Sequence, residues 1–525
     1  MTTPTLEPIV RSPSALPELP RGDVGRAVLR HSPRLGDKAA LIDAPSGHAI
    51  TYGRLAPLVR RAAAGLAARG FHQGDKLAIY APNLPEYAIA AHAVMSLGGV
   101  VTTANLLSTP AELAKQLVDS GARALVTVPP FLESARRAAA EANCRELYVF
   151  GEAPGATPFT ALLDHGDDPP EVHIDPSDTA ALMYSSGTTG VPKGVELSHR
   201  AIAANLVQIA HATDFSEGDT LVAVAPFFHA LGFTVLMNTG MAVGATVVSL
   251  PRFDLEAFLQ AIQDHRATAT IIVPPIALAL ARHPVVDRYD LSSLRFVGCG
   301  AAPLGKEIEV ACEERLPCRF FQGYGMTEAT AGIAVSSMRE PERNVHGQAG
   351  ILLAGTEARV VDPESGADLG PDGTGEIWIR GPQLMSGYLG RPDATAETID
   401  ADGWLHTGDI GRVDDEGRVF ITDRMKELIK YKAFQVAPAE LEALLCSHPA
   451  VVAAAVVGAP DEEAGELPTA FVVARGELSD DDLMSWVAER VAPHKRIRRV
   501  ERIDAIPSSP TGKILRRELR ERLRG

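Results

Sequence analysis

Short runs of β-branched and aliphatic residues alternate with helical patterns along this chain, and no other feature restricts its fold as strongly. Lys76 to Tyr80, Val100 to Thr103 and Ala124 to Val128 read as strands, while Glu86 to Ser96, Pro110 to Ser120 and Leu132 to Glu141 carry helical periodicity. A strand and helix rhythm of this period predicts parallel strands with helices on both faces of the sheet. Ahead of it, apolar runs between Ala39 and Thr51 flank Ala44-Pro45-Ser46-Gly47 and read as a hairpin, with a helix to follow. The rhythm returns in Ala201 to Ala212, Leu221 to Ala225, Thr246 to Leu250, Leu255 to His265 and Thr270 to Val273, which predicts a second α/β layer.

A chain of 525 residues is too long for one ordinary domain, and 46% hydrophobic residues suffice for a large core and a smaller one. Between about Gly347 and Thr422 the turn signals DPESG, PDGTG and DDEGR part short strands, so residues 347–422 read as a β-rich subdomain closing a large domain over 1–423. Residues 424–525 carry a small α/β pattern of their own, with Ala439 to Cys446 and Asp480 to Arg490 helical, and Val451 to Val457 and Ala470 to Val473 extended. The fold class expected is α/β: a large N-terminal domain of stacked α/β layers with a β-rich subdomain, and a small C-terminal α/β domain.

The formal net charge of −16 argues against general binding to nucleic acid or anionic membrane and leaves small molecules as the expected partners. Five cysteines stand without C-x-x-C spacing, so neither a zinc site nor a disulfide framework is indicated, and a reducing cytoplasm fits. The opening MTTPTLEPIVRSPSALPELP is proline-rich without a continuous apolar run, and reads as a disordered or surface-tethered tail rather than a signal peptide. Lys495, Arg496, Arg498 and Arg499 make a basic stretch that reads as a solvated face.

Chemistry concentrates in YSSGTTGVPKG, Tyr184 to Gly194, which follows the apolar run Ala180 to Met183. Ser185, Ser186, Thr188, Thr189 and Lys193 can all donate hydrogen bonds, and Gly187, Gly190 and Gly194 let backbone amides approach an anion. The composition is that of a phosphate cradle, although the placement of Lys193 differs from the Walker A pattern. A solvated surface turn is the alternative for such a run alone.

From these residues on, the chain resembles the adenylate-forming (acyl-CoA synthetase, AMP-binding) superfamily, nearest its 4-coumarate:CoA ligase-like branch. The resemblance continues through GAAPL (Gly300 to Leu304), QGYGMTE (Gln322 to Glu328), GWLHTGD (Gly403 to Asp409), DRMKELIKYKAFQVAPAE (Asp423 to Glu440) and PTGK (Pro510 to Lys513). It implies ATP, Mg2+ and coenzyme A as cofactors, and a two-step reaction that makes an acyl or aryl adenylate and then a thioester. By the same resemblance Thr188, Thr189 and Lys193 would hold the leaving pyrophosphate, Thr188 and Glu328 would serve the metal, and Tyr324, Gly323, Gln322, Ala301 and Thr327 would border adenine and α-phosphate. Asp409, Arg424 and Lys426 would serve the ribose side. Without the motif around it, Glu328 would read as a loop or cap carboxylate, and Lys513 as a surface lysine.

Lys513 is the residue the resemblance nominates to bridge the attacking carboxylate and the α-phosphate. The C-terminal domain is implied to be a mobile lid that pivots at 423–426, withdraws Lys513 and delivers Lys430, Lys432, Ala433 and Gln435 to admit coenzyme A. Arg252 is a candidate for a CoA phosphate or an ordinary surface charge. Ala433 stands where the family carries glycine in K-G-F-Q, which narrows the thiol passage and opens an alternative: transfer of the AMP-activated group to an amine or a carrier protein, or activation of nitrite for diazotisation of an aryl amine. His229 in PFFHALG would guard the acyl carboxylate, in a pocket bordered by Leu231, Phe233, Gly298, Gly300 and Ala302. Leu231 and Gly298 replace a tyrosine and a lysine of the coumarate ligases, so a cinnamate, another aryl acid or a medium-chain acid all match.

Overall fold

A computed structural model describes residues 8–20, 22–166, 168–185, 192–432, 434–461, 463–476, 478–509 and 512–523. The expected alternation builds two large sheets. In the first, Val100–Thr103, Lys76–Tyr80, Ala124–Thr127, Glu146–Val149 and Thr157–Pro158 lie side by side in parallel, and Thr179–Ser185 joins parallel to Val100–Thr103. The second runs parallel through Arg319–Gly325, Phe296–Cys299, Ala269–Ile272, Thr220–Ala223, Thr246–Ser249 and Ala39–Asp43. Ala49–Thr51 returns antiparallel on Ala39–Asp43, as the turn residues between them predict, and the helix Tyr52–Ala68 follows.

The core shows how the layers stack. Its largest apolar cluster joins one face of each sheet to the helices Tyr52–Ala68, Pro85–Ser96 and His199–Thr213, which are therefore sandwiched between the sheets. Pro85–Ser96 is apolar on nearly every side, as a helix with no solvent face must be. The outer faces carry Pro110–Ser120 and Leu132–Glu141 on one sheet, and Leu255–Asp264, Pro274–Arg282 and Lys306–Arg315 on the other. Local signals fix the ends: Thr109 and Glu112 cap Pro110–Ser120 reciprocally, and Gly121 terminates it with a φ of 65°.

Two margins depart from the parallel expectation. Lys193–Ser198 pairs antiparallel with Thr179–Ser185, because the short glycine-rich connection permits a hairpin and no crossover. Gly387–Tyr388 then adds antiparallel to Lys193–Ser198. On the second sheet Gly332–Val335 and Ile351–Leu352 likewise add antiparallel.

The β-rich segment forms a third, antiparallel sheet ordered Val10–Arg11, Glu357–Val361, Gly375–Arg380, Leu405–Val413 and Val419–Arg424. Val10 and Arg11 thus tether the described part of the N-terminal stretch to the body. A fourth sheet, Phe434–Val436, Ile429–Tyr431, Gly465–Ala474 and Val451–Asp461 with Arg499–Arg502 beside it, packs against Pro438–Ser447 and Asp480–Ala488. The change of sheet falls after Arg424, so Asp423 and Arg424 end a strand of the third sheet instead of forming a free linker. In the basic stretch Lys495 pairs with Glu440 and Arg499 with Glu501. No helix among the described residues is long and apolar enough to cross a membrane.

Candidate active site

The glycine-rich loop joins two hydrogen-bonded strands, which set Lys193 opposite Ser185 and Gly194 opposite Tyr184. Ser186, Gly187, Thr188, Thr189 and Gly190 lie outside the described residues, so the site is built from what flanks them. Ser198 closes the second strand and caps His199–Thr213 by accepting from the Ala201 amide at 3.1 Å, which anchors the hairpin to the central helix layer. Lys193 is only 8% exposed, so its ammonium is held largely out of water.

The GMTE segment arrives from the neighbouring sheet. Glu328, 3% exposed, accepts at Oε1 from the Ser185 hydroxyl at 3.0 Å and from the Tyr388 hydroxyl at 2.9 Å. Among the described residues no hydrogen bond reaches its Oε2, and no group of three or more His, Cys, Asp or Glu side chains converges to hold a cation. A hard ion here would rest on one carboxylate and on phosphate oxygens, which suits Mg2+. The turn after Glu328 is tight. Gly325 passes so near Ala331 that a Cβ would meet its carbonyl oxygen at 1.6 Å, and Thr330, fully buried, has a φ of 64°.

Asp409 and Arg424 face one another across adjacent strands of the third sheet. Asp409 accepts from the Tyr324 hydroxyl at 2.6 Å, and its other oxygen lies 3.2 Å from Arg424 Nε. Burial raises the Asp409 carboxyl above its ordinary range, and Arg424 opposes that rise. Burial also pushes the Tyr324 phenol up, so it remains a donor.

Lys513 joins the same group. Burial lowers its ammonium to about 8, Arg424 adds to the fall, and Glu427 and Asp409 oppose it. Its loop is closed by Ser509, whose Oγ accepts from the Lys513 amide at 3.1 Å, and Gly512 sits against Val273 and Pro275 of the large domain. Lys426 is lowered by burial and by Arg424, with Lys193 contributing. Four cations, Lys193, Arg424, Lys426 and Lys513, thus gather around the buried carboxylates Glu328 and Asp409. Such a constellation fits a polyanion.

Other expected residues fall elsewhere. Gln322 is buried and its amide donates to Glu309 Oε2 at 2.9 Å, while Gly323 keeps 3.6 Å of room beside Ala334. Thr327 is half-buried, and Ala301 holds a φ of 71° in an exposed turn beside Ala302. His229 is half-buried, its buried Nε2 has no hydrogen-bond partner among the described residues, and desolvation lowers its imidazole to about 4. It precedes Leu231–Asn238, an eight-residue π-helix, a rare geometry frequent at functional sites. Leu231 is half-buried, whereas Phe233 is 0% exposed and packs into the core between the sheets instead of lining a pocket. Gly300 approaches Gly323, and a Cβ at Gly298 would press on Ile271 and Phe321, so these apolar groups occupy the space a longer residue would need.

Lys430, Lys432 and Gln435 stand exposed on the hairpin Ile429–Val436, apart from the Asp409 and Lys513 group, and Ala433 lies outside the described residues. Arg252 is exposed. Sequence reasoning missed Tyr388 and Glu309. Tyr388 carries no periodic signal, and only its pairing with Val195 brings it to Glu328.

These arrangements agree with known proteins. The model of the AMP-binding enzyme family matches residues 29–389, and that of the AMP-binding enzyme C-terminal domain matches 440–513. The chain belongs to the AMP-binding enzyme family. It is 44% identical over 498 residues to 4-coumarate--CoA ligase 5 of Oryza sativa subsp. japonica, covering 93% of this chain and 92% of that one. It is 42% identical over 500 residues to 4-coumarate--CoA ligase 1 of Petroselinum crispum, with 93% and 92% covered. Among solved structures, ATP-bound MatB from Rhodopseudomonas palustris superposes with a TM-score of 0.86 at 28% identity over 95% of this chain and 99% of that one, and apo MatB scores 0.77.

Proposed function

We propose that this protein is an AMP-forming acid–thiol ligase: it activates a carboxylic acid with ATP as an enzyme-bound adenylate and passes the acyl group to coenzyme A. The observation that carries the reading is the convergence of Lys193, Arg424, Lys426 and Lys513, drawn from two sheets, a turn and a C-terminal loop, around Glu328 and Asp409. The greater likeness to ATP-bound than to apo MatB supports a lid seated for the first step.

In that step Asp409 binds the ribose hydroxyls, with Tyr324 and Arg424 fixing the carboxylate. Lys193 holds the departing pyrophosphate together with Thr188 and Thr189 of the loop. Lys513 places its ammonium between the acid carboxylate and the α-phosphate, stabilising charge that grows only in the transition state. Glu328 would hold Mg2+, which when bound neutralises phosphate oxygens. His229, neutral at pH 7, sits beside the acyl site without repelling or neutralising charge there. The lid then pivots after Arg424 and brings the exposed Lys430, Lys432 and Gln435 to the adenylate.

The substrate is a cinnamate- or coumarate-like acid or another aryl or medium-chain acid, since Ile271 and Phe321 put apolar groups against Gly298 and Leu231 stays partly open. Two curated relatives matched over 93% of the chain are CoA ligases, which favours coenzyme A over an amine, a carrier protein or nitrite chemistry. We place the enzyme in the cytoplasm without a nucleic-acid or membrane partner, supported by the charge of −16 and by five free cysteines. Incubating the pure protein with ATP, Mg2+, coenzyme A and a panel of aryl and medium-chain acids tests the reading. AMP, pyrophosphate and a CoA thioester in equal amounts are expected by mass spectrometry; ADP, or AMP without thioester, overturns it.

A further inference from the structure

One ring touches both charged groups of the phosphate site. The Tyr388 hydroxyl donates to Glu328 Oε1 at 2.9 Å, and the Lys193 ammonium lies 4.6 Å from the centroid of the same ring. The backbone leaves the ring little freedom. Tyr388 pairs with Val195, the Leu389 amide donates to the Gly194 carbonyl at 2.9 Å, the Ser386 amide donates to the Glu196 carbonyl at 2.9 Å, and the Tyr388 amide donates to Thr395 Oγ1 at 2.9 Å. The ring is 6% exposed.

We propose that Tyr388 is a positioning residue that presets the phosphate site, its hydroxyl fixing the Glu328 carboxylate and its ring face holding the Lys193 ammonium, before nucleotide arrives. The two contacts reinforce each other. A phenol that donates to an anion gains electron density in its ring, and a richer ring attracts a cation more strongly. Burial and the Glu328 charge both push the phenol far above its ordinary range, so the hydroxyl stays a donor throughout the working pH range. No ion pair to Lys193 occurs among the described residues, and a buried ammonium without a counter-ion is otherwise expensive. The ring is its neutral substitute, and it yields when phosphate oxygens offer a stronger partner.

The proposal rests on the ligase reading for what the site binds, and its test does not depend on turnover. ATP affinity is measured by calorimetry with Mg2+ and with EDTA for wild type, Tyr388→Phe and Tyr388→Leu. Tyr388→Phe keeps the ring and loses the hydroxyl, so binding in EDTA holds while the factor by which Mg2+ tightens ATP falls about tenfold. Tyr388→Leu loses both contacts, and binding in EDTA also weakens, by about fivefold. A wild-type Mg2+ factor in Tyr388→Phe, or wild-type EDTA affinity in Tyr388→Leu, overturns the proposal. Should Tyr388→Leu not fold, Tyr388→Phe is combined with Glu328→Gln: the two must be non-additive in the Mg2+ factor, and additivity overturns the proposal. Wild type that binds ATP yet shows no acid-dependent pyrophosphate exchange sinks the ligase reading and leaves the Tyr388 comparison valid, while absence of ATP binding sinks both.

Discussion

In its proposed role Lys513 acts as an ammonium, and burial lowers it to about 8. It is charged below that value and neutral above it, so kcat/KM for acid-dependent ATP–pyrophosphate exchange falls as pH rises through about 8. Lys513→Arg removes this falling limb because guanidinium does not titrate there, and Lys513→Ala lowers the rate by about 10²-fold or more with no limb. His229 contributes no inflection between pH 5 and 8, since burial keeps it neutral. The turn at Gly325 makes a second demand on a single residue. Alanine there would drive a methyl into the Ala331 carbonyl, which is backbone and cannot swing aside. Gly325→Ala costs about 2–3 kcal/mol in urea unfolding and displaces Glu328.

Between elements, a buried polar network stands behind that turn. The Thr330 hydroxyl donates to the Gln383 carbonyl at 2.7 Å, Gln383 Nε2 donates to Thr356 Oγ1 at 2.8 Å, and Gln208 Nε2 donates to Gln383 Oε1 at 3.1 Å and to the Ala354 carbonyl at 2.7 Å. Asn205, one turn earlier in the helix that follows the phosphate hairpin, exchanges hydrogen bonds with the Gly332 backbone at 3.0 Å. The network ties the central helix, the turn after Glu328 and the third sheet together. Gln383→Ala leaves buried partners unmatched and destabilises by about 2–3 kcal/mol, measured by thermal unfolding. None of this was legible in the sequence, because isolated glutamines and threonines carry no period. Hydrophobic alternation did reveal the strands and helices, and turn residues revealed the Ala39 to Thr51 hairpin and the β-rich segment. Asp409, Arg424 and Lys513 were nominated by the resemblance, and the structure brings them together. Tyr388 and the antiparallel return at the phosphate loop were not, since both depend on register between strands distant in sequence, which a single strand's pattern does not encode.

At the scale of the whole molecule, the proposed two-step reaction asks the C-terminal unit to keep its own shape while changing its seat. Arg516 grips Glu442 with two hydrogen bonds of 2.7 Å, joining the last helix to Pro438–Ser447. Arg516→Ala strands a carboxylate that burial already drives upward, and we expect a loss of about 3–5 kcal/mol confined to this unit, read by hydrogen exchange in residues 438–447. The seat itself is different in kind. Arg282 of the large domain donates to the carbonyls of Cys446 at 2.7 Å and Val451 at 3.3 Å, and only the small cluster of Ile410, Leu428 and Ala437 joins third-sheet and lid residues among the buried apolar groups. Parting a cluster this small wets little hydrocarbon. Lid exchange should therefore proceed at nearly constant heat capacity, giving a straight Eyring plot for a step limited by it, so that catalysis tracks temperature smoothly while the body beneath stays folded.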